Sequence, residues 1–299
     1  MSTVDQLVDA GMVRRDVPLG PLTTYKAGGP ASLYAEVGST DELTSLIHSG
    51  LTRDQDLLVL GRGSNLVVAD AGFDGLVIKL GGDFMMVGIT GQLVEAGAAV
   101  PLPRLARQAV EARVLGLEFF VGVPGSVGGA VRQNAGCFGT ETGDRLTTAL
   151  VVDLHTGETE ERDAESLELG YRQSNIASGD LVVSASFQGV HGDPEIGKEK
   201  LRDITRWRRD HQPGGTLNAG SVFKNPSDIT AGELIDHLGL KGTRIGDVAV
   251  SDKHANFFVA GPGATSADIL RLVELVKDTV FQRTGTMLEN EIQFVGFEQ

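Results

Sequence analysis

Two stretches of this chain set bare backbone beside hydroxyl and amide side chains at a density that ordinary turns do not require. In VLGRGSNLVV an apolar run, Leu57 to Leu60, leads directly into Gly61, Arg62, Gly63, Ser64 and Asn65. Backbone N–H groups in such a loop, helped by a serine and an asparagine, suit the oxygens of a pyrophosphate. The loop is not the Rossmann fingerprint, because Leu66 stands where the third glycine belongs, and it is not a P-loop, because no Gly-Lys-Ser/Thr follows. Alone it reads equally well as a tight structural turn. The second stretch, GLEFFVGVPGSVGGAVRQNAG, carries Gly122, Gly125, Gly128, Gly129 and Gly136 with Ser126 and Asn134. Two such loops suit a long dinucleotide gripped along its length; two glycine-rich structural corners are the competing reading.

Other chemistry is narrowed by what the chain lacks. The 6 histidines are scattered, which gives no metal site, and the single cysteine, Cys137, excludes an intramolecular disulfide and reads as a small packed residue. A formal net charge of -14 makes nucleic acid an unfavourable partner, although a small diphosphate is still held by local N–H groups and a few cations. The N-terminal segment has neither the basic start nor the apolar core of a secretory signal, and no stretch approaches the roughly 20 apolar residues of a membrane-spanning helix. A cytoplasmic protein with no membrane partner is expected.

The elements that must position these loops follow from periodicity. Short apolar runs, Leu57 to Leu60 and Leu181 to Val183, predict strands, and the amphipathic stretch Leu102 to Ala112 predicts a helix. From about Asp193 the texture becomes polar and charged, and GDPEIGKEKLRDITRWRRD reads as a helix after a linker. Further helices are predicted at Thr230 to Leu238 and from Ser266 to Arg283, with an apolar run at Phe257 to Ala260 between them. In the last helix Ile269, Leu272, Val273, Val276 and Val280 form a core stripe. A boundary near residue 192 is expected, dividing residues 1–192, with a core from about residue 22, from residues 193–299.

The ordered motifs TTYKAGGPA, LGRGSNLVV, GLEFFVGVPGSVGGAVRQNAG, YRQS, NAGSVFKNP, GLKG, KHANFFV and LENEIQFVG resemble those of the UDP-N-acetylenolpyruvoylglucosamine reductase (MurB) family, in its shorter form, from about residue 20 to the C-terminus. The resemblance implies an α+β fold. A two-subdomain FAD-binding domain of the vanillyl-alcohol-oxidase/PCMH type would be followed by a smaller α/β substrate-binding domain. It also implies the reaction: hydride passes from NADPH to FAD and then to the enolpyruvyl group of UDP-N-acetylglucosamine enolpyruvate, giving UDP-N-acetylmuramate for peptidoglycan synthesis. The glycine loops hold no histidine and only Cys137 as a thiol, so non-covalent FAD is expected.

Residue by residue, the resemblance places FAD contacts at Tyr25, Gly61, Arg62, Gly63, Ser64, Asn65, Leu66, Gly122, Pro124, Gly125, Ser126, Gly128, Gly129, Ala130, Asn134 and Gly136. Arg172 matches the family's catalytic arginine, and a planar guanidinium suits a carboxylate that gains charge. Ser221 matches the proton donor; a hydroxyl is a poor acid unless neighbours stabilise its alkoxide or relay a proton. Glu291 matches the catalytic glutamate, placed to orient the arginine or the donor. Were this segment a strand, alternation would set Glu289 on the same face, so spacing does not separate the two. Lys224, Asn225, Lys241 and His254 fall at substrate-contact positions, whereas Arg206, Arg208 and Arg209 read as a solvated helix face. Gln133 and Ala260 depart from the family's usual Met and Asn. Another flavin oxidoreductase of the same superfold, or a non-catalytic flavin- or nucleotide-sugar-binding sensor, are the alternatives.

Overall fold

The computed structural model describes residues 2–226 and 228–297. The chain forms two compact units interleaved in sequence: Met1–Arg15, Leu33–Arg62 and Gly75–Trp207 make the first, and Asp16–Ser32, Gly63–Asp74 and Arg208–Gln299 the second. These packing units cut across a linear division at residue 192. The helix Pro194–His211 begins just beyond that point, but its Leu201 and Ile204 pack against a core of the first unit.

The first unit is organised by a five-stranded antiparallel sheet, in the order Thr159–Asp163, Leu146–Asp153, Asp180–Gln188, Leu93–Gly97, Val87–Thr90. Both faces of its central strands are buried, which is why Leu181–Val183 reads as an unbroken apolar run. Ala149, Val151 and Val182 enter one core, while Val152, Leu181 and Val183 enter another. Leu150 pairs with Ser184 but Val151 pairs with Val182, so Val183 is the extra residue of a bulge. Beyond that bulge the side-chain parity flips, and Ala185 and Phe187 return to the first core. The helix Leu102–Glu111 covers this face with Leu102, Leu105, Ala106 and Ala109, which recur at helical spacing. The second core gathers Leu33, Ala35, Val37, Leu43, Leu46 and Ile47 with Leu76 and Ile78, beside the parallel pairing of Leu57–Val59 with Leu76–Ile78.

In the second unit the described buried apolar residues gather in a core. The helix Ser266–Thr284 buries Ile269, Leu272, Val273, Val276 and Val280 in it, as their spacing predicts. Its start is fixed twice: Thr265 accepts from the Asp268 N–H, and the Asp70 carboxylate accepts from the N–H groups of Ser266 and Ala267 at 2.9 and 3.0 Å. Its end is closed by Gly285 at φ 73°. The predicted apolar run near Phe257 becomes the strand Phe258–Ala260 of a three-stranded sheet with Arg244–Ile245 and Val248–Val250. Gln293–Val295 pairs in parallel with Leu66–Val68, directly after the first glycine loop.

Candidate active site

Within the first unit the two glycine stretches meet at Ser126. This buried residue precedes the short helix Val127–Arg132, yet its hydroxyl is not used to cap it. A Cβ on Gly61 would lie 2.7 Å from Ser126 Oγ, and one on Gly129 3.6 Å away. A side chain at position 61 would therefore occupy the surface that Ser126 presents. Gly61, Arg62, Pro124 and Gly129 are exposed around it. The other positions of this stretch serve the scaffold more directly: a Cβ on Gly128 would lie 3.0 Å from the Ala98 Cβ, the Gly125 carbonyl accepts from the Leu102 N–H, and Gly122 and Ala130 are buried. In the second unit Gly63, at φ 60°, has room for no Cβ, because the Leu22 carbonyl oxygen would be 2.5 Å away.

Arg172 stands at the tip of a tight turn closed by two hydrogen bonds between Gly170 and Gln173, both 3.1 Å. It adopts a left-handed backbone, φ 54°, which a non-glycine residue takes only under local compulsion. The turn is bolted to the second glycine stretch. Ser174 Oγ donates to the Arg132 carbonyl at 2.6 Å and Asn134 Nδ2 donates to the Gly170 carbonyl at 3.0 Å. The guanidinium donates to the Gly136 carbonyl (3.1 Å), pairs with Glu141 (3.4 Å) and lies 5.0 Å from the centre of the Tyr171 ring. Glu141 is a partner that spacing did not reveal, since it lies 31 positions upstream.

In the second unit the NAGSVFKNP and LENE segments run side by side. The Glu291 N–H donates to the Val222 carbonyl at 2.8 Å, Phe223 bridges Asn290, and the Lys224 N–H donates to the Glu289 carbonyl at 2.9 Å. Ser221 and Glu291 thus come from adjacent strips of backbone. Ser221 itself bridges Phe257, and the preceding Gly220 (φ 78°) has open space where a Cβ would stand. Glu289 and Glu291 flank the isolated bridge at Asn290, ahead of the strand that begins at Gln293, and they differ in exposure. The Glu289 side chain is 73% exposed and pairs with Lys224 at 3.5 Å, whereas Glu291 is partly covered. Asn65 fixes the latter segment from the first glycine loop: its Nδ2 donates to the Glu291 carbonyl (2.9 Å), and its own carbonyl accepts from the Gln293 N–H (2.9 Å).

Lys241 pairs with Asp236 at 2.6 Å, and Asn225 Oδ1 accepts from the N–H of Ala231, the first residue of the helix Ala231–His237, at 3.1 Å. His254 packs its ring 4.8 Å from that of Phe257, and its Nδ1 accepts from the Asn256 N–H at 3.3 Å. Burial, and then the positive charge of Lys241, hold its pKa below the ordinary histidine value. His254 is therefore neutral near pH 7, with the proton on Nε2 as an available donor. Asn256 was not singled out by the sequence: 3% exposed, it accepts from the Phe223 N–H (2.9 Å) and donates to the Phe223 carbonyl (2.8 Å).

Two of the expected FAD contacts, Asn134 and Tyr25, also have side-chain hydrogen bonds within the protein. Asn134 is 3% exposed; its amide donates to Glu141 and to the Gly170 carbonyl and accepts from the Gly143 N–H, so its side chain braces the loop. Tyr25 is 1% exposed in the second unit's core, and its hydroxyl donates to the Phe258 carbonyl at 3.2 Å. Burial drives its pKa well above the ordinary tyrosine value. Arg206 and Arg209 lie on an exposed face, paired with Asp203 and Asp210. Among the described residues no cluster of His, Cys, Asp and Glu could hold a metal ion.

Comparison with known proteins bears on the whole chain. Residues 31–162 match the description FAD binding domain, and residues 212–295 match UDP-N-acetylenolpyruvoylglucosamine reductase, C-terminal domain. The chain is 42% identical over 289 residues to the UDP-N-acetylenolpyruvoylglucosamine reductase of Synechococcus sp. (strain RCC307), covering 95% of this chain and 94% of the relative. The enzyme of that name from Caulobacter vibrioides is 38% identical, with 96% and 95% covered. The crystal structure of UDP-N-acetylenolpyruvylglucosamine reductase from Thermus caldophilus superimposes with a TM-score of 0.83 at 35% identity, covering 95% of this chain and 98% of that one. A glucose dehydrogenase, Phl p 4.0202, shares the fold alone, at a TM-score of 0.52 and 12% identity, over 95% of this chain and 63% of its own. The fold is thus the α+β one that the motifs imply, with a FAD-binding domain of the vanillyl-alcohol-oxidase/PCMH type ahead of the C-terminal domain.

Proposed function

Because the chain belongs to the UDP-N-acetylenolpyruvoylglucosamine reductase family, we propose that it reduces UDP-N-acetylglucosamine enolpyruvate to UDP-N-acetylmuramate, with FAD as cofactor and NADPH as hydride donor. The observation that carries this reading is the side-by-side course of the Ser221 and Glu291 segments, joined by the Glu291 N–H and the Val222 carbonyl at 2.8 Å. It sets the backbones that carry a hydroxyl and a carboxylate side by side on the C-terminal domain that the family shares.

The residues present fit a bound dinucleotide. At Gly61 a Cβ would fill the space beside Ser126 Oγ, 2.7 Å away, so the bare backbone and that hydroxyl form a cradle only glycine leaves open. Tyr25, Gly61, Arg62, Gly63, Ser64, Asn65, Leu66, Gly122, Pro124, Gly125, Ser126, Gly128, Gly129, Ala130, Asn134 and Gly136 would hold the cofactor, through backbone or side chain. Cys137 donates its thiol to the Phe119 carbonyl at 3.0 Å, which supports non-covalent attachment. When bound, FAD supplies the hydride step. Arg172 then holds the substrate carboxylate as charge builds on it, since a fixed guanidinium stabilises that charge without reorganising. Ser221 supplies the proton to the α-carbon, and Glu291 keeps the donor oriented. Lys224 and Lys241 bind the diphosphate as point charges, while Asn225 and neutral His254 offer donors to sugar or uracil oxygens.

The same proposal keeps residue 192 as the limit between the FAD-binding and substrate-binding domains of the family. It also places the reaction in the cytoplasm, with a small-molecule substrate and neither nucleic-acid nor membrane partner. The lone Cys137 and the net charge of -14 support this, and no helix among the described residues is long and apolar enough to cross a membrane. Stopped-flow flavin absorbance tests the reading. NADPH should bleach the purified yellow protein, and the enolpyruvyl sugar should restore its colour. Pre-reduced protein that this sugar fails to reoxidise would overturn the assignment.

A further inference from the structure

The proposed reaction leaves open what fixes the guanidinium of Arg172, a flexible side chain at the tip of a two-residue turn. The geometry points to Glu141 as a positioning residue for Arg172, acting together with Asn134. This rests on the reading of Arg172 as the group that holds the substrate carboxylate.

Glu141 uses its two oxygens on different partners. Oε1 lies 3.4 Å from Arg172 Nη1, and Oε2 accepts from Asn134 Nδ2 at 2.9 Å. Asn134 passes that constraint to the base of the turn, through the Gly170 carbonyl at 3.0 Å, and to the Gly143 N–H at 2.8 Å. Glu141 itself sits in a short hairpin, Gly136–Cys137 paired with Thr140–Glu141, whose Gly136 carbonyl accepts from Arg172 Nη2 at 3.1 Å. No side chain fits at Gly136, where a Cβ would be 2.5 Å from the Thr140 carbonyl oxygen. The hairpin strands therefore close tightly enough for one carbonyl and one carboxylate to grip the same guanidinium. A Glu141 N–H bond to Asp144 (2.8 Å) holds the hairpin's end.

The arrangement has a chemical logic. The side chains of Arg172 and Glu141 are 19% and 35% exposed, so their attraction is partly screened, and fixing direction matters more than its strength. A guanidinium clamped at one edge by a carbonyl and a carboxylate, with the Tyr171 ring against its face, is aimed before substrate arrives. Such preorganisation is what makes a charge-stabilising donor effective in a transition state.

The test compares wild type, Glu141→Gln, Arg172→Ala and the double variant. Glutamine keeps the length and an acceptor for Asn134 but removes the charge facing Arg172. Glu141→Gln should slow reoxidation of the reduced flavin by the enolpyruvyl sugar by about tenfold or more, with flavin reduction by NADPH unchanged. In the Arg172→Ala background the same change should cost less than about twofold, because a positioning residue has nothing left to position. Calorimetric titration of oxidised protein with the sugar should show a change in Kd smaller than the change in rate. Glu141→Asp, which keeps the charge but withdraws it, should recover part of the loss. Equal slowing of both half-reactions, or a full additional loss on top of Arg172→Ala, would assign Glu141 a purely structural part and overturn the proposal. A wild-type protein that the sugar does not reoxidise would instead remove the functional reading beneath it.

Discussion

Replacing Asn256 by alanine probes how the Ser221 segment is held. Phe223 is fully buried, and the two bonds from the Asn256 side chain, 2.9 Å from its N–H and 2.8 Å to its carbonyl, serve both of its backbone groups. Alanine removes both partners at a site 3% exposed, where water does not readily replace them. An orphaned buried polar group costs roughly 1 to 3 kcal/mol, so two together cost about 2 to 6 kcal/mol. That is several times the roughly 0.5 kcal/mol limit of an ordinary surface substitution. Urea unfolding of the flavin-free protein, followed by circular dichroism, should show a lower midpoint at unchanged slope. Phe223 lies between Ser221 and Lys224, so the variant should also lose turnover at temperatures where it remains folded. A destabilisation below about 0.5 kcal/mol would refute the assignment of Asn256 as a clamp.

Two glycines of one loop separate ligand from fold. Gly61→Ala, whose Cβ meets only the movable Ser126 hydroxyl at 2.7 Å, should weaken FAD binding by about tenfold or more in fluorescence titration while leaving apo-protein unfolding almost unchanged. Gly63→Ala, at φ 60° against the fixed Leu22 carbonyl, should destabilise the apo-protein by at least the ~1 to 2 kcal/mol of left-handed strain. The depressed pKa of His254 means that its contribution to stability is complete above the unfolded value near 6.5 and is lost as pH falls from there toward the folded value. Removing the neighbouring charge with Lys241→Met should move the His254 titration upward, read from its imidazole proton resonance. Ser221→Ala should spare flavin reduction by NADPH and slow reoxidation by substrate; equal loss in both half-reactions would take the proton-donor role away from it.

Local pattern made part of this molecule legible. The stripe from Ile269 to Val280 becomes the buried face of a long helix, and Leu181 to Val183 becomes a strand buried on both faces. Those elements report themselves because periodicity acts over a few residues. Partners brought together by folding do not. Nothing in the spacing pairs Glu141 with Arg172, 31 positions apart, or Asn256 with Phe223, 33 apart. The two compact units exchange segments at residues 16, 33, 63, 75 and 208, and a change of texture along the chain does not announce such interleaving. The two glutamates of LENE differ in burial, which spacing alone does not encode: Glu289 is exposed and Glu291 partly covered.

Asparagine side chains do backbone work in this molecule that the sequence does not announce. In a glycine loop an amide side chain invites assignment to a ligand, because it can both donate and accept. Yet Asn65, Asn134 and Asn256 each commit their amide N–H to backbone: the Glu291, Gly170 and Phe223 carbonyls, while Asn134 and Asn256 also accept from the Gly143 and Phe223 N–H groups. The reason is general. Segments shaped to present a hydroxyl, a guanidinium or bare N–H groups cannot also satisfy themselves through a regular ladder, and buried backbone groups must be paired. A side chain that imitates a peptide group closes that deficit without requiring another strand. Aspartate would not substitute, since an ionised carboxylate accepts but does not donate, and each of these asparagines donates to at least one carbonyl. Irregular backbone near the proposed chemistry thus explains why amide side chains there support the fold.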